Sequence, residues 1–286
     1  MNQVVKVYAF ANQAGEGNPA GVRVLCSGDE MSDRQMQEIA TRLGYSETAF
    51  VNMQNDKTVA IRYFTPSSEI EMCGHATIAS FWLLRKKGLI VDGDYCLKTQ
   101  QDEWRIRVQK DLIWIDFGHP KVEESVDTIL RKHLCSAYQI GEEELDEKYP
   151  AKIVRAGIKD LHLFVRSHDV LMKAVQDEKK VMQLSKQCEV VGVHMSYVKK
   201  DKQAVQVYNS NFAPLYGIEE ECATGTANAG MTAYLYEAGV IAPKEEIDII
   251  QGEHMGRVGR LKSYVYLDEK KQMHVMIGGN AIMQEV

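Results

Sequence analysis

The residues best suited to chemistry in this chain stand in two short blocks that repeat one another. The first is Glu71-Met72-Cys73-Gly74-His75-Ala76-Thr77, and the second is Glu221-Cys222-Ala223-Thr224-Gly225-Thr226-Ala227. Phe64-Thr65-Pro66 precedes the first as Phe212-Ala213-Pro214 precedes the second. Each block runs into an apolar segment that stops at a glycine. Ala76 pairs with Ala227, Leu84 with Leu235, Gly88 with Gly239 and Ile90 with Ile241, all at one constant offset. Only the turn before the predicted helix differs in length.

A cysteine at a helix start sits in the field of the helix dipole, where free backbone N–H groups stabilise a thiolate. The same N–H groups can hold a carboxylate or phosphate. Gly74 and Gly225 would let a ligand approach the backbone closely. Two such helix starts set face to face would hold a small anion with a thiol on either side. That arrangement suits a two-base proton transfer at a carbon beside a carboxylate, with helix-end N–H groups stabilising the carbanion. The plainer reading is a pair of buried cysteines capping packed helices. It is favoured for either cysteine alone, and the chemical reading for both together.

The elements that must position these residues follow from periodicity. Val4 to Phe10 reads as a strand, Asn12 to Gly21 as a glycine-marked loop, and Val22 to Leu25 as a returning strand. Ser32 or Asp33 is placed to cap a helix carrying Met36, Ile39, Ala40 and Leu43 and stopped at Gly44. Glu47 then enters an apolar strand, either solvated at the strand end or directed into a cleft. On the residues alone the solvated reading is favoured. Val59 to Phe64 is a strand feeding the first block, and three short strands between Tyr95 and Phe117 form a meander. The second half repeats the recipe: strands near Ile153 and Leu161, a short helix over Leu171 to Val175, and strands at Val190 and Ala204. The second block and its helix follow, then strands at Ile247, Arg260 and Met273. Gly141 to Lys148, rich in glutamate, reads as a solvated face. Domains of 1–118 and 119–286 are expected, with the last strand returning to the first domain.

At 286 residues and a formal net charge of −6 the chain offers no basic patch, so nucleic acid and anionic membranes are not expected partners. No apolar run is long enough to span a bilayer. The opening from Met1 to Tyr8 lacks the plan of a signal peptide, and a cytoplasmic location is expected. The six cysteines are scattered without a C-x-x-C pair, which argues against a disulfide framework or a clustered zinc site. No metal and no cofactor are expected.

Several blocks together resemble the PhzF family of phenazine biosynthesis-like proteins. They are Gly17-Asn18-Pro19-Ala20-Gly21-Val22, Ser46-Glu47-Thr48-Ala49-Phe50, Phe64-Thr65-Pro66 with Cys73-Gly74-His75-Ala76-Thr77, Gly217-Ile218, Ala223-Thr224-Gly225-Thr226-Ala227, and Gln251-Gly252 with Met255-Gly256-Arg257. They occur in the family's order over almost the whole chain. The resemblance implies the α/β fold of diaminopimelate epimerase and proline racemase: two pseudo-symmetric domains, each a curved sheet wrapped round a central helix, with the site in the cleft between them. It makes Glu47 the match for the family's general acid/base, and His75, Glu221 and Thr226 the matches for its histidine, aspartate and serine. A homodimer is also implied. The family's D-P-A-T-G reads here Glu221-Cys222-Ala223-Thr224-Gly225, and Cys222 restores the second cysteine of the epimerases and racemases.

The expected function is therefore a cofactor-independent isomerase inverting a stereocentre beside a carboxylate. Cys73 and Cys222 would be its bases, and Glu47, His75 and Glu221 would orient the ligand or tune the thiols. Gly74, Ala76, Thr224, Gly225, Thr226 and Asn18 are the candidate substrate-binding residues, and a small carboxylic acid is the expected ligand. The first alternative is a PhzF-type isomerase moving a proton in a conjugated cyclic acid through Glu47. The second is a catalytically silent protein that binds small acids.

Overall fold

Two segments of this chain are apolar on every face of a helix, a pattern that only complete burial satisfies, and the fold is arranged round them. The computed structural model describes residues 3–26, 29–201 and 204–283. The Met1-Asn2 opening considered above lies outside the described residues. In chain order the elements are β1 (Val5–Ala9), β2 (Asn18–Val24), α1 (Asp33–Leu43), β3 (Glu47–Met53), β4 (Thr58–Phe64), β5 (Glu69–Ile70), α2 (Gly74–Lys86), β6 (Gly93–Lys98), β7 (Glu103–Gln109) and β8 (Leu112–Asp116). There follow β9 (Lys121–Ser125), α3 (Thr128–Tyr138), β10 (Lys152–Ala156), β11 (Ile158–Phe164), α4 (His168–Lys173), α5 (Glu178–Cys188), β12 (Val193–Lys200) and β13 (Val205–Ala213). The last are β14 (Ile218–Glu221), α6 (Gly225–Glu237), β15 (Ile247–Gln251), β16 (Gly259–Leu267), β17 (Met273–Gly279) and β18 (Ala281–Met283).

The chain divides into two compact units. One comprises the described residues up to Asp116 with those from Gly278 onward, the other Phe117–Ile277. In the first, antiparallel pairs β18–β1, β1–β2, β3–β4, β6–β7 and β7–β8 are joined by parallel pairs β2–β3 and β4–β6. The short β5 lies antiparallel on β4. In the second, β9–β10, β10–β11, β12–β13 and β15–β16 are antiparallel, β11–β12 and β13–β15 parallel, and short β14 lies on β13. Each parallel step needs a helical crossover. The first unit uses α1 and α2, and the second uses α4 with α5 and then α6. The duplication read from the two blocks is thus present strand by strand.

The crossover helices α2 and α6 form the centre of each unit. Every residue from His75 to Leu84 and from Ala227 to Leu235 is buried. Their buried polar side chains are satisfied locally, as burial demands. Thr77 Oγ1 donates to the Cys73 carbonyl at 2.8 Å and lies 2.6 Å from the Tyr63 hydroxyl. Asn228 Nδ2 donates to the Thr224 carbonyl at 2.8 Å, and its Oδ1 accepts from Asn209 at 2.7 Å. Both helices end at a left-handed glycine, Gly88 or Gly239. The next N–H reaches back to the Leu84 or Leu235 carbonyl at 3.0 and 2.9 Å, the Schellman arrangement that glycine permits.

Ser32 caps α1 with Gln35 in a reciprocal capping box. Asn18 to Gly21, expected in a loop, belong instead to β2, with Ala9 facing Asn18 and Tyr8 facing Pro19. Pro19 is tolerated because it lies near the first residue of the strand, where a ladder donor is least needed. Helices α3 and α5 have no counterpart in the sequence reading. Their apolar residues Leu134, Tyr138, Val181 and Leu184 form a separate core against β11 and β12. No helix among the described residues is long and apolar enough to cross a membrane.

Gly230 lies inside α6, where a Cβ would stand 2.8 Å from His162 Nε2 and 3.3 Å from Val154 Cγ1. Gly230→Ala is expected to destabilise the protein by about 1–3 kcal/mol through overpacking. Urea unfolding checks this, and a midpoint equal to or above that of the parent would contradict the packing.

Candidate active site

Four of the helices are closed at the N-terminus by a side chain: Ser32 for α1, Asp127 for α3, Ser167 for α4 and Asp177 for α5. The two central helices are not. Cys73 and Thr224 occupy their N-cap positions in extended conformation without a side-chain capping bond. Their first turns therefore keep backbone donors and positive dipole ends that no cap has taken up.

Around the start of α2 the first unit gathers Glu47, His75, Cys73 and Asn18. β3 begins at Glu47 and β2 at Asn18, and the parallel pairing of the two strands places both beside the helix. Glu47 is turned inward, although its residues alone favoured a solvated position. Its side chain retains 18% exposure and Oε2 lies 2.9 Å from His75 Nε2. That oxygen is buried and off the ring's N–H direction, so the contact is an ion pair without a well-aligned hydrogen bond. Cys73 Sγ lies 3.4 Å from His75 Nδ1 and 3.8 Å from Nε2, and Asn18 Nδ2 is 3.2 Å from Nδ1.

Burial sets the acid–base character of this cluster. Burial alone would raise the Glu47 carboxyl, but pairing with His75 brings it below its ordinary value. Burial pushes the Cys73 thiol up, and the neighbouring His75 charge does not cancel the effect. The His75 imidazole, which burial would lower, is raised well above its ordinary value by Cys73 and Glu47. With the thiol protonated, Glu47 carries the negative charge at neutral pH. The resting cluster sets the Glu47 carboxylate against the His75 ring beside a protonated thiol. Its three ligand atoms lie within 4.8 Å of one another and have a donor set for a divalent metal, which would have to displace protons from the ring and the thiol.

The second unit builds its helix start differently. Thr224 Oγ1 donates to Glu221 Oε2 at 2.6 Å, and Gln251 Nε2 donates to the Glu221 carbonyl at 2.6 Å. Gln251 Oε1 accepts from Asn228 Nδ2 at 2.7 Å and from the Thr224 N–H at 3.3 Å. Thr224, not Cys222, holds the N-cap position that Cys73 holds in α2. Cys222 lies two residues earlier and is fully buried. Backbone packs closely over it: a Cβ on Gly252 would stand 2.7 Å from Cys222 Cα, and one on Gly259 would stand 2.1 Å from the Cys222 carbonyl oxygen. The helix-start glycines also differ. The Cβ position of Gly74 meets nothing within 4 Å, whereas that of Gly225 is met by the Phe117 ring at 2.9 Å. Ala76 is buried in the first turn of α2, and Thr226 is half-buried in that of α6.

Sequence reasoning missed Asp160. It is buried on β11, its carboxyl is pushed up to about 7 by burial and then by the charge of Glu221, and the Gly192 N–H opposes both. The signal was there: Asp160, His162 and Phe164 alternate along one face of the strand. The reading began the strand at Leu161, which left Asp160 outside it.

The fold sets the class of protein. A probable proline racemase from Agrobacterium radiobacter K84 superposes with a TM-score of 0.61 at 11% identity, covering 100% of this chain and 93% of its own. The chain has the fold of the racemases and epimerases. More narrowly, the family model described as phenazine biosynthesis-like protein matches residues 7–285, and the chain belongs to that family. The "Uncharacterized isomerase YfhB" of Bacillus subtilis is 31% identical over 264 residues, covering 91% of this chain and 89% of that protein. The crystal structure of a PhzF-family protein from Bacillus anthracis superposes with a TM-score of 0.85 at 24% identity, covering 99% and 96%.

Two predictions follow from the resting cluster. Iodoacetamide at neutral pH should modify exposed Cys26 well before buried Cys73, as peptide mapping over time would reveal; equal rates would mean that Cys73 is already a thiolate. The Glu47–His75 pair also stabilises the fold over a defined range. The raised imidazole contributes fully below its unfolded value of 6.5 and loses its contribution as pH rises through the folded value. The lowered carboxyl contributes above its unfolded value of 4.5 and loses its contribution as pH falls through the folded value. Coupling in a Glu47→Gln, His75→Gln double-mutant cycle should therefore be greatest between pH 4.5 and 6.5. A coupling that does not vary with pH would rule out the ion pair.

Proposed function

We propose that this chain is a cofactor-independent isomerase that shifts a proton in a small conjugated carboxylic acid, with Glu47 accepting the proton and His75 supplying one. The observation that carries the reading is the buried Glu47 Oε2, ionised beside the His75 ring yet not aligned with its N–H. A buried carboxylate oxygen with no aligned donor is costly unless something else completes it. A substrate C–H, whose proton it would take, is a suitable partner. The 2.9 Å contact to His75 puts an acid next to that base, so the pair can take a proton from one carbon and return one to another. Gly74 leaves room for the ligand at the helix start, and the uncapped first turn of α2 favours its carboxylate.

The two-thiol reading, inversion at a carbon beside a carboxylate by Cys73 and Cys222, draws on Cys222 in the second block and on the likeness to racemase folds. It has less support. The Cys73 thiol is pushed up rather than down, and the backbone around Gly252 and Gly259 closes over Cys222. A binding protein without turnover would not require an acid and a base in contact.

Solvent exchange separates the three readings. The protein is incubated in D2O with a pooled set of conjugated cyclic acids and free amino acids, and proton signals are followed by NMR. Washout at a ring or allylic position should fall about 10²- to 10⁴-fold in Glu47→Gln and persist in Cys222→Ser. Washout of an α-proton that is lost with Cys222→Ser would establish the two-thiol mechanism instead. Saturable binding without exchange would indicate the silent binder.

A further inference from the structure

We propose that His119, Asp268 and His274 form a second functional site, which binds a divalent transition-metal ion on the second unit. One ligand atom from each residue lies within 4.8 Å of the other two. The three come from separate points of the chain that the fold brings together. Asp268 opens the tight turn after β16, and His274 stands on β17. His119 follows Gly118 in a segment whose Phe117 N–H donates to the Val275 carbonyl and whose Gly118 carbonyl accepts from the Val275 N–H, at 2.9 and 3.1 Å.

Two of the three donors are oriented by hydrogen bonds to the backbone. His119 Nδ1 donates to the Met273 carbonyl at 2.7 Å, which makes Nε2 the lone-pair nitrogen. Asp268 Oδ1 accepts the N–H groups of Lys270 and Gln272, both at 2.8 Å, and Oδ2 is turned toward His274 Nε2 at 3.8 Å. The His274 ring stacks on Tyr266 with centroids 4.7 Å apart and planes at 17°, and meets the His119 ring at 4.1 Å. Two imidazoles and one carboxylate prefer zinc, nickel or copper to magnesium or calcium. Tetrahedral zinc, with bonds of about 2.0–2.1 Å, sets its ligand atoms about 3.3 Å apart. Reaching that spacing requires small rotations of the exposed His119 and the half-buried Asp268 and His274 side chains. Lys270 and Lys271, in the same turn, are both exposed.

The test uses tag-free, chelator-stripped full-length protein carrying Cys73→Ser, which removes the thiol of the Glu47–Cys73–His75 cluster. Titration calorimetry should show one bound Zn2+ per chain and no binding of Mg2+. Loss of a partner that only supports a ligand weakens metal binding about 10- to 100-fold, so His119→Ala and His274→Ala should each weaken it by at least about tenfold. His133→Ala, on α3, should leave it unchanged. Co2+ bound by the same protein should give d–d absorption that disappears in His274→Ala. Loss of Zn2+ binding on Cys73→Ser alone, or affinity unchanged in both His119→Ala and His274→Ala, would overturn the site. If His274→Ala does not fold, the exposed His119→Ala decides, its metal-free melting temperature serving as the check on folding.

Discussion

The structure depends on burying two helices that have no polar face. A segment such as Ala76 to Leu84 cannot rest on the surface, and each unit wraps strands round one of them. Enclosure removes water from the helix start, where backbone donors have no partner within the helix. Elsewhere in the chain serine and aspartate caps supply one. At α2 and α6 the cap positions hold Cys73 and Thr224, which do not, and the helix starts keep their positive end.

The same enclosure gives the Glu47 cluster its character. Moving charges out of water is expensive, and a buried pair recovers that cost only with good geometry and further hydrogen bonds. The contact of Glu47 with His75 is short but poorly aligned, so the carboxylate stays ionised without being fully satisfied. Burial meanwhile works against a resting Cys73 thiolate. A sulfur and a carboxylate share the helix start, and the desolvation that keeps the thiol protonated assigns the negative charge to the carboxylate.

The two units have kept one scaffold and diverged at the helix start. Thr77 and Asn228 stand at the same helical position, and each secures the carbonyl of its N-cap residue. In the first unit the surroundings are an acid, an imidazole and a thiol, with space over Gly74. In the second they are a hydrogen-bonded set of Thr224, Gln251 and Asn228 round Glu221, with Phe117 filling the space over Gly225. Asp160, held partly protonated near neutral pH by burial and the Glu221 charge, belongs to this second set.

Much of this was legible without coordinates. Constant spacing between the two blocks disclosed the duplication, because a buried helix imposes its apolar length and terminal glycine locally. Ser32 or Asp33 marked a helix start for the same reason: a cap acts within one turn. Amphipathic α3 and α5 passed unnoticed because their apolar faces make sense only against β11 and β12. The sequence by itself determined the repeat, the central helices, their stops and the residue types at each helix start. Tertiary structure alone decided that Glu47 turns inward to His75, that Thr224 takes the cap position, that Cys222 lies under backbone, and that His119 meets His274. Those outcomes rest on burial and on contacts between residues far apart in the chain, and neither is encoded in local spacing.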